Sequence, residues 1–330
     1  MNWNFYNSFR ELYEKCDSLE GLEYTRILNL IEGIMIGHPI PITFLPKNSF
    51  VTRVRKNLGK KYFSNLPDEI SYIKDPKLLE NMSEYGRANI PHQAMFYCST
   101  DSDSFPSGSV TAIAETSQLF TDDSAINLEG EVYTVGEWKV LERLALAEIC
   151  FSLEAIERNQ RTRESFIRFR DMIVERPDDD QMLQIEFLYF ISSLFGRRVN
   201  THHDYKISAG FANLILSRPE INGIVYPSVR TQYEGFNVVL KPSVVDQCLE
   251  LRSVYCKKLH KLYRKSYMNP YKVCVDHKQN PLVWREPETK HSDEMILEFL
   301  KAPLTSADYK KIKRDYKEDD HIFRKIFSIK

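Results

Sequence analysis

Four short segments in a fixed order limit what this chain can fold into. They are Gly-Arg-Ala-Asn at 86–89, Phe96-Tyr97, Thr-Ala-Ile-Ala-Glu-Thr at 111–116, and Gly-Ile-Val-Tyr-Pro-Ser at 223–228. The second and fourth belong to runs with strand character, Gln93 to Cys98 and Ile224 to Pro227. The third belongs to a helix running to Leu119, for which Ser109 is a fitting N-cap. Strand ends and a helix start that carry Arg, Tyr, Glu and Ser, set among long helical stretches, predict an α/β (α+β) fold. Its sheet presents polar groups where strands end.

The helical stretches follow from apolar spacing. Phe5, Phe9, Leu12, Tyr13 and Cys16 make one helical set, and Ile27, Leu30, Ile31 and Ile34 another. Gly37 and Pro39-Ile-Pro41 end that pattern. Phe44 to Arg55 reads as extended, with Arg53 and Arg55 on one face and Val54 on the other. Residues 56–92 are loop-rich, and Ser99 to Gly108 is polar and turn-rich. Glu129 to Trp138 reads as a strand or strand pair. Lys139 to Arg176, Asp180 to Phe195 and Asp204 to Leu216 read as helices, and Phe236 to Leu240 as a strand. From Asp246 the pattern is mixed, and Ser292 to Phe327 reads as charged helices. The expected organisation is an N-terminal helical addition over 1–43, then a core over 44–242 with a helical insertion around 139–218. A largely helical extension over 243–330 follows.

A chain of 330 residues, 42% apolar and 28% charged, is long enough for one large domain with additions and too apolar for disorder. A net charge of −1 supplies no global field for nucleic acid, so direct nucleic-acid binding is not expected. No run of 18 apolar residues exists, and the segment MNWNFYNSFRELYEK lacks the apolar stretch of a signal peptide. The expectation is a cytoplasmic protein with no membrane contact. Six cysteines without Cys-x-x-Cys spacing read as free thiols, and no metal is expected. His202-His203-Asp204 has no metal-ligand spacing, and Asp204 reads as an N-cap.

The residues able to do chemistry each carry two readings. Arg53, Arg55 and Arg87 have the planar fork that grips phosphate oxygens, or they are ordinary surface arginines. Gly86 lets the backbone beside Arg87 approach a ligand, and Asn89 adds a short polar side chain. Tyr97 stacks on a planar ring or closes the edge of the core. Glu115, set among small apolar residues, stabilises a cationic centre or ribose hydroxyls, or it faces solvent. Ser228, after Tyr226-Pro227, projects from a strand end to orient a ligand, or it is a turn serine.

The order of these motifs resembles the RES domain family. The family's Arg-x-Arg looks like Arg53-Val54-Arg55, and its Gly-Arg-x-Asn looks like Gly86-Arg87-Ala88-Asn89. Its strand Tyr looks like Tyr97, its Ala-x-x-Glu like Ala112 to Glu115, and its Gly-Ile-x-Tyr-Pro-Ser like Gly223 to Ser228, followed by Gly235 and Asn237. The resemblance covers roughly residues 44 to 242. The chain departs from the family's short members in the longer link between Tyr97 and Glu115, in the long segment between Glu115 and Ser228, and in Thr52 before Arg53. The resemblance implies an ADP-ribosyltransferase-like mixed split sheet and an NAD+-degrading enzyme, a glycohydrolase or phosphorylase. Such an enzyme is commonly the toxin of a bacterial toxin–antitoxin pair. The alternatives are a protein ADP-ribosyltransferase using the same site, or a non-enzymatic interaction protein. It further implies Glu115, Ser228 and Arg53 as catalytic residues, with Arg87, Tyr97, Arg55, Asn89 and Asn237 binding substrate. No cofactor is implied, since NAD+ is the substrate and inorganic phosphate a co-substrate. The implied partners are a helical DNA-binding antitoxin and a second copy in a homodimer.

Overall fold

In a computed structural model, the described residues are 3–57, 67–102, 107–197, 199–279, 281–289, 291–317 and 320–327. Parts of the expected loop 56–92, the polar stretch 99–108 and the charged C-terminal helices lie outside them. The chain opens with helices α1 (Trp3–Lys15) and α2 (Tyr24–Met35), then strands β1 (Ile42–Leu45) and β2 (Phe50–Lys56). Short helices α3 (Pro67–Ile70) and α4 (Pro76–Glu80) precede β3 (Phe96–Thr100), α5 (Gly108–Thr116), β4 (Ile126–Val140) and β5 (Leu144–Glu148). Four helices follow: α6 (Leu153–Arg158), α7 (Gln160–Ile173), α8 (Asp178–Gly196) and α9 (Lys206–Leu216). Then come β6 (Gly223–Pro227), β7 (Phe236–Leu240) and α10 (Pro242–Cys248). The last elements are β8 (Leu249–Leu262), β9 (Lys265–Asp276), β10 (Val283–Arg285), α11 (Asp293–Lys301), α12 (Ser306–Asp315) and α13 (His321–Phe327). The fold is α/β, with a mixed ten-stranded sheet in the order β1-β5-β6-β7-β3-β2-β4-β8-β9-β10.

Packing divides the chain into two units. The first holds residues 1–53, 71–112 and 137–252, and the second holds 54–70, 113–136 and 253–330. In the first, alternation decides the core. Ala147 and Ile149, Ile224 and Tyr226, and Val239 share one side of the sheet. Phe5, Phe9 and Leu12 of α1, Ile27, Ile31 and Ile34 of α2, Phe187 and Ile191 of α8, and Phe211 and Ile215 of α9 join them in one apolar cluster. Full burial of each such side chain contributes about 1.5–3 kcal/mol. All five residues of β6 are buried, as expected of a strand covered on both faces. Lys206 anchors the helix layer. Its buried ammonium donates to the carbonyls of Leu19, Glu20 and Leu22, each at 2.9 Å. His38 sits in the same layer against the rings of Phe5, Phe169 and Phe187. Burial, then the nearby Arg176, pushes its imidazole down to about 3.

In the second unit, β8 and β9 form a hairpin paired from Tyr255↔Val273 to Leu262↔Lys265. Leu262, Tyr263, Ile296, Leu300, Ile312 and Ile326 form one apolar cluster, and Ile113, Tyr133, Val135 and Leu259 form another. Ser292 and Thr305 cap α11 and α12 through their side chains.

Several local expectations change. Lys139 to Arg176 is not one helix. Its start is the end of β4 and all of β5, and Leu-Ala-Leu-Ala-Glu pairs with β1 and β6 despite good helix propensity. The insertion is therefore helical only from α6 onward. Residues 249–276 are strand rather than helix. Tyr263 supplies the turn at φ 54° without a glycine to announce it. Ser109 lies inside α5 rather than capping it, and Asp101 Oδ1 accepts the Gly108 N–H at 2.5 Å. Asp204 is not an N-cap. It is the third residue of a turn capped by Thr201, and its carboxylate accepts from the Thr201 and Asn200 N–H groups. The expected extended segment Phe44 to Arg55 is two strands, with Asn48 at φ 69° between them. All six cysteines are free thiols. Among the described residues, no helix is long and apolar enough to cross a membrane.

Candidate active site

The first unit gathers six of the eight expected site residues around β3, β7 and β6. Gly86 and Asn89 close a tight loop, with the Gly86 N–H donating to the Asn89 carbonyl at 2.9 Å. A Cβ at position 86 would stand 2.2 Å from Asn89 Oδ1, so a side chain there would push the Asn89 amide from its place against Tyr97. Tyr97 fixes this loop to β3. Its hydroxyl accepts the Ala88 N–H at 2.9 Å and donates to Asn89 Oδ1 at 2.8 Å. Burial pushes the phenol well above its usual range, so Tyr97 stays neutral and positions the loop.

Arg53 reaches β3 from β2. One guanidinium nitrogen donates to the Tyr97 carbonyl at 2.7 Å, and the group lies 5.1 Å from the Phe96 ring centroid. Arg87 leaves the 86–89 loop and lies 5.7 Å from the ring centroids of both Tyr205 and Tyr226. It also approaches the Arg197 carbonyl at 3.5 Å. Asn237 is buried on β7 opposite Ser99, whose hydroxyl donates to its Oδ1 at 3.0 Å.

Of its two readings, Ser228 takes that of a turn serine. It is fully buried, and its hydroxyl accepts the Thr231 N–H at 3.3 Å, so it caps a turn rather than projecting from the sheet. That turn runs to Gly235, whose carbonyl accepts the Ser228 N–H at 2.8 Å. Gln232 and Tyr233 within it take φ of 55° and 69°. Two left-handed non-glycine residues cost roughly 1–2 kcal/mol each. A Cβ on Gly235 would come within 2.2 Å of Thr111 Oγ1, which fixes the turn's other end.

Arg55 and Glu115 belong to the second unit. Both are half-buried, Arg55 on β2 and Glu115 on α5. Burial lowers the Arg55 guanidinium, and Glu69 opposes that shift. In the same unit Glu131 accepts from Lys56, Tyr133 and, at 3.0 Å, Ser117.

β5 and β6 run parallel, with Leu146 opposite Gly223 and Glu148 opposite Val225. Beyond their carboxyl ends lies a cavity of about 240 Å³. Ile149 and Cys150 line it after β5, Tyr226 and Pro227 at the end of β6, Phe195 and Arg197 at the end of α8, and Tyr233 from the strained turn. Ligands of open α/β sheets bind beyond the carboxyl ends of parallel strands. Whole-ligand pockets measure about 300–1,000 Å³, so this space suits one end of a larger molecule. Tyr226 and Arg197 both line the cavity and both touch Arg87, so the cation stands beside it.

The sequence did not single out Arg197 at the end of α8, Asn159 at the junction of α6 and α7, or Tyr233 in the turn after β6. Arg197 and Tyr233 line the cavity, and Asn159 holds Tyr233. Glu148, 2% exposed at the end of β5, accepts from the Ser165 hydroxyl. Its carboxyl is raised by burial, against the opposing effects of Ser165, Arg161 and Arg168. An acid ending an alternating apolar run was the available signal, hidden because the run resembles a helix. The His202 ring stacks on Tyr85, and its Nδ1 accepts the Tyr85 N–H at 3.4 Å. Among the described residues, no group of three or more His, Cys, Asp or Glu is placed to hold a metal ion. Set against known proteins, the chain matches no protein-family model and no curated protein sequence.

Proposed function

We propose that this protein consumes NAD+ by cleaving the bond between nicotinamide and ribose. The observation that carries the reading is the joining of the Gly86–Asn89 loop, Tyr97 and Arg87 into one group beside a cavity at the carboxyl ends of β5 and β6. Gly86, Arg87, Asn89 and Tyr97 stand in the order of the RES family's motifs, and Tyr226 from the distant Gly223–Ser228 segment links Arg87 to the cavity. An ADP-ribosyltransferase-like core belongs to the same reading.

Cleavage sends the bonding electron pair to nicotinamide and builds positive charge at the ribose C1′. A fixed carboxylate lowers the energy of that charge. Glu115 takes this role through its place in the motif order alone. Arg87 and Arg53 are the cations assigned to the pyrophosphate. Tyr97, neutral and spent on the loop, holds Arg87 in place instead of moving protons. Ser228 shapes the turn beside the cavity. Water, phosphate or a protein side chain then attacks C1′, and the choice separates glycohydrolase, phosphorylase and ADP-ribosyltransferase. The toxin role and an inhibiting antitoxin rest on the resemblance.

Nicotinamide release from NAD+, measured with and without inorganic phosphate and without a protein acceptor, tests the reading. Release that needs no phosphate marks a glycohydrolase, and release that depends on phosphate marks a phosphorylase. Release only after a protein acceptor is added favours the transferase. No release under any of these conditions overturns the proposal.

A further inference from the structure

The turn from Ser228 to Gly235 holds its shape with help from outside itself. Its two left-handed residues, Gln232 and Tyr233, are the ones the inserted helices grip. Asn159, 3% exposed, stands at the junction of α6 and α7. Its Nδ2 donates to the Tyr233 carbonyl at 3.0 Å, and its Oδ1 accepts the Thr162 N–H at 3.1 Å. Beside it, Arg158 donates to Gln232 Oε1 at 3.2 Å. The two halves of the Asn159 amide therefore do separate jobs. The oxygen starts α7, and the nitrogen holds the strained turn whose Tyr233 lines the cavity.

We propose that Asn159 is a positioning residue: it latches the Gln232–Tyr233 turn so that Tyr233 forms one wall of the cavity. The helical insertion thereby sets the shape of the space available to substrate. A side chain needed only to link two helices has no reason to spend an amide N–H on a distant turn. A turn that is stable alone has no reason to be held at its two most strained residues. The effect on turnover rests on the proposed NAD+ activity, whereas the latch itself does not.

Asn159→Asp separates the two jobs. The carboxylate keeps the acceptor that starts α7 and sets an oxygen against the Tyr233 carbonyl. Asn159→Ser keeps a helix cap and removes the amide that reaches the Tyr233 carbonyl without setting a charge against it, and it serves if the Asp variant does not fold. Amide hydrogen exchange over 232–235 is expected to speed up about tenfold, with α7 unchanged. The KM for NAD+ is expected to rise by about tenfold, with kcat within about twofold. Unchanged exchange over 232–235, or acceleration that spreads through α7, overturns the latch. An unchanged KM in an enzyme that turns over NAD+ overturns its role in shaping the site. Absence of nicotinamide release by the unaltered protein defeats the proposed function instead, and exchange then decides the latch by itself.

Discussion

Two of the turns that place non-glycine residues in the left-handed region, at Tyr263 and at Gln232–Tyr233, are held there by different means. In the second unit, Tyr263 at φ 54° joins β8 to β9 across a two-residue connection. The ladder on both sides holds it, and its own N–H donates to the Ala125 carbonyl at 2.9 Å. In the first unit, Gln232 and Tyr233 sit in a longer turn with a cavity beside them. Side chains from α6 and α7 reach across to hold that turn. Both turns close antiparallel ladders, β8–β9 and β6–β7, and the first-unit turn is in addition gripped by Arg158 and Asn159 at the edge of a cavity, where strain is a pointer to function.

Under the proposed function the working surface lies in the first unit, and Glu115, in the second, is the residue most able to break that placement. Under the proposed mechanism, Glu115→Gln lowers nicotinamide release by about 10²–10³ while far-UV circular dichroism stays unchanged. An unchanged rate would remove Glu115 from the chemistry and leave the first unit to act without it.

The next effect sharpens the contrast through the helix layer of the first unit. The folded-state imidazole of His38 is lowered to about 3. Below pH 6.5 the unfolded chain takes up a proton that the folded chain refuses, so stability is full above 6.5 and falls with acidification. The slope is about 1.4 kcal/mol per pH unit until 3 is approached. Urea midpoints at pH 7, 6 and 5 read it, and His38→Phe should flatten it. An equal slope in that variant would point to other groups.

Tyr97→Phe tests whether the loop depends on the phenol. It strands the Ala88 N–H and Asn89 Oδ1, and should cost about 1–3 kcal/mol in chemical denaturation. A cost near zero would mean that the loop closes without β3. The smallest effect belongs to the second unit. Lys325 pairs with the exposed Glu129 at 2.8 Å, and Lys325→Ala should change stability by about 0–1 kcal/mol, less at high salt. A larger loss would give that surface more weight than the contrast allows.

The legible parts of the molecule are those where local chemistry and tertiary role agree. Phe236 to Leu240, β-branched and apolar, is a strand from its own residues and is β7 in the structure. The apolar spacing of Ile27, Leu30, Ile31 and Ile34 marks the buried face of α2. Leu144 to Glu148 was not legible, because its propensity is helical and only the slot between β1 and β6 makes it a strand. The motif order singled out Asn89, Tyr97 and Arg87, but the bond between Asn89 and Tyr97 and the place of Arg87 beside the cavity come from the tertiary structure alone. Ser228 followed the order too, but its burial as a cap depends on Gly235 folding back over it. Asn159 carried no motif. Only the cap preference of asparagine hinted that a helix was interrupted there.

The parallel pairing of β5 with β6 also bears on how the protein reaches its folded state. Everything from residue 149 to residue 222 must be looped out before Leu146 can meet Gly223. Closing so long a loop loses chain entropy before any contact repays it. Hairpins such as β8–β9, joined by two residues, face no such delay. The crevice beyond β5 and β6 is thus among the last features to form, and refolding followed by a probe in that crevice should lag behind one placed in the β8–β9 hairpin.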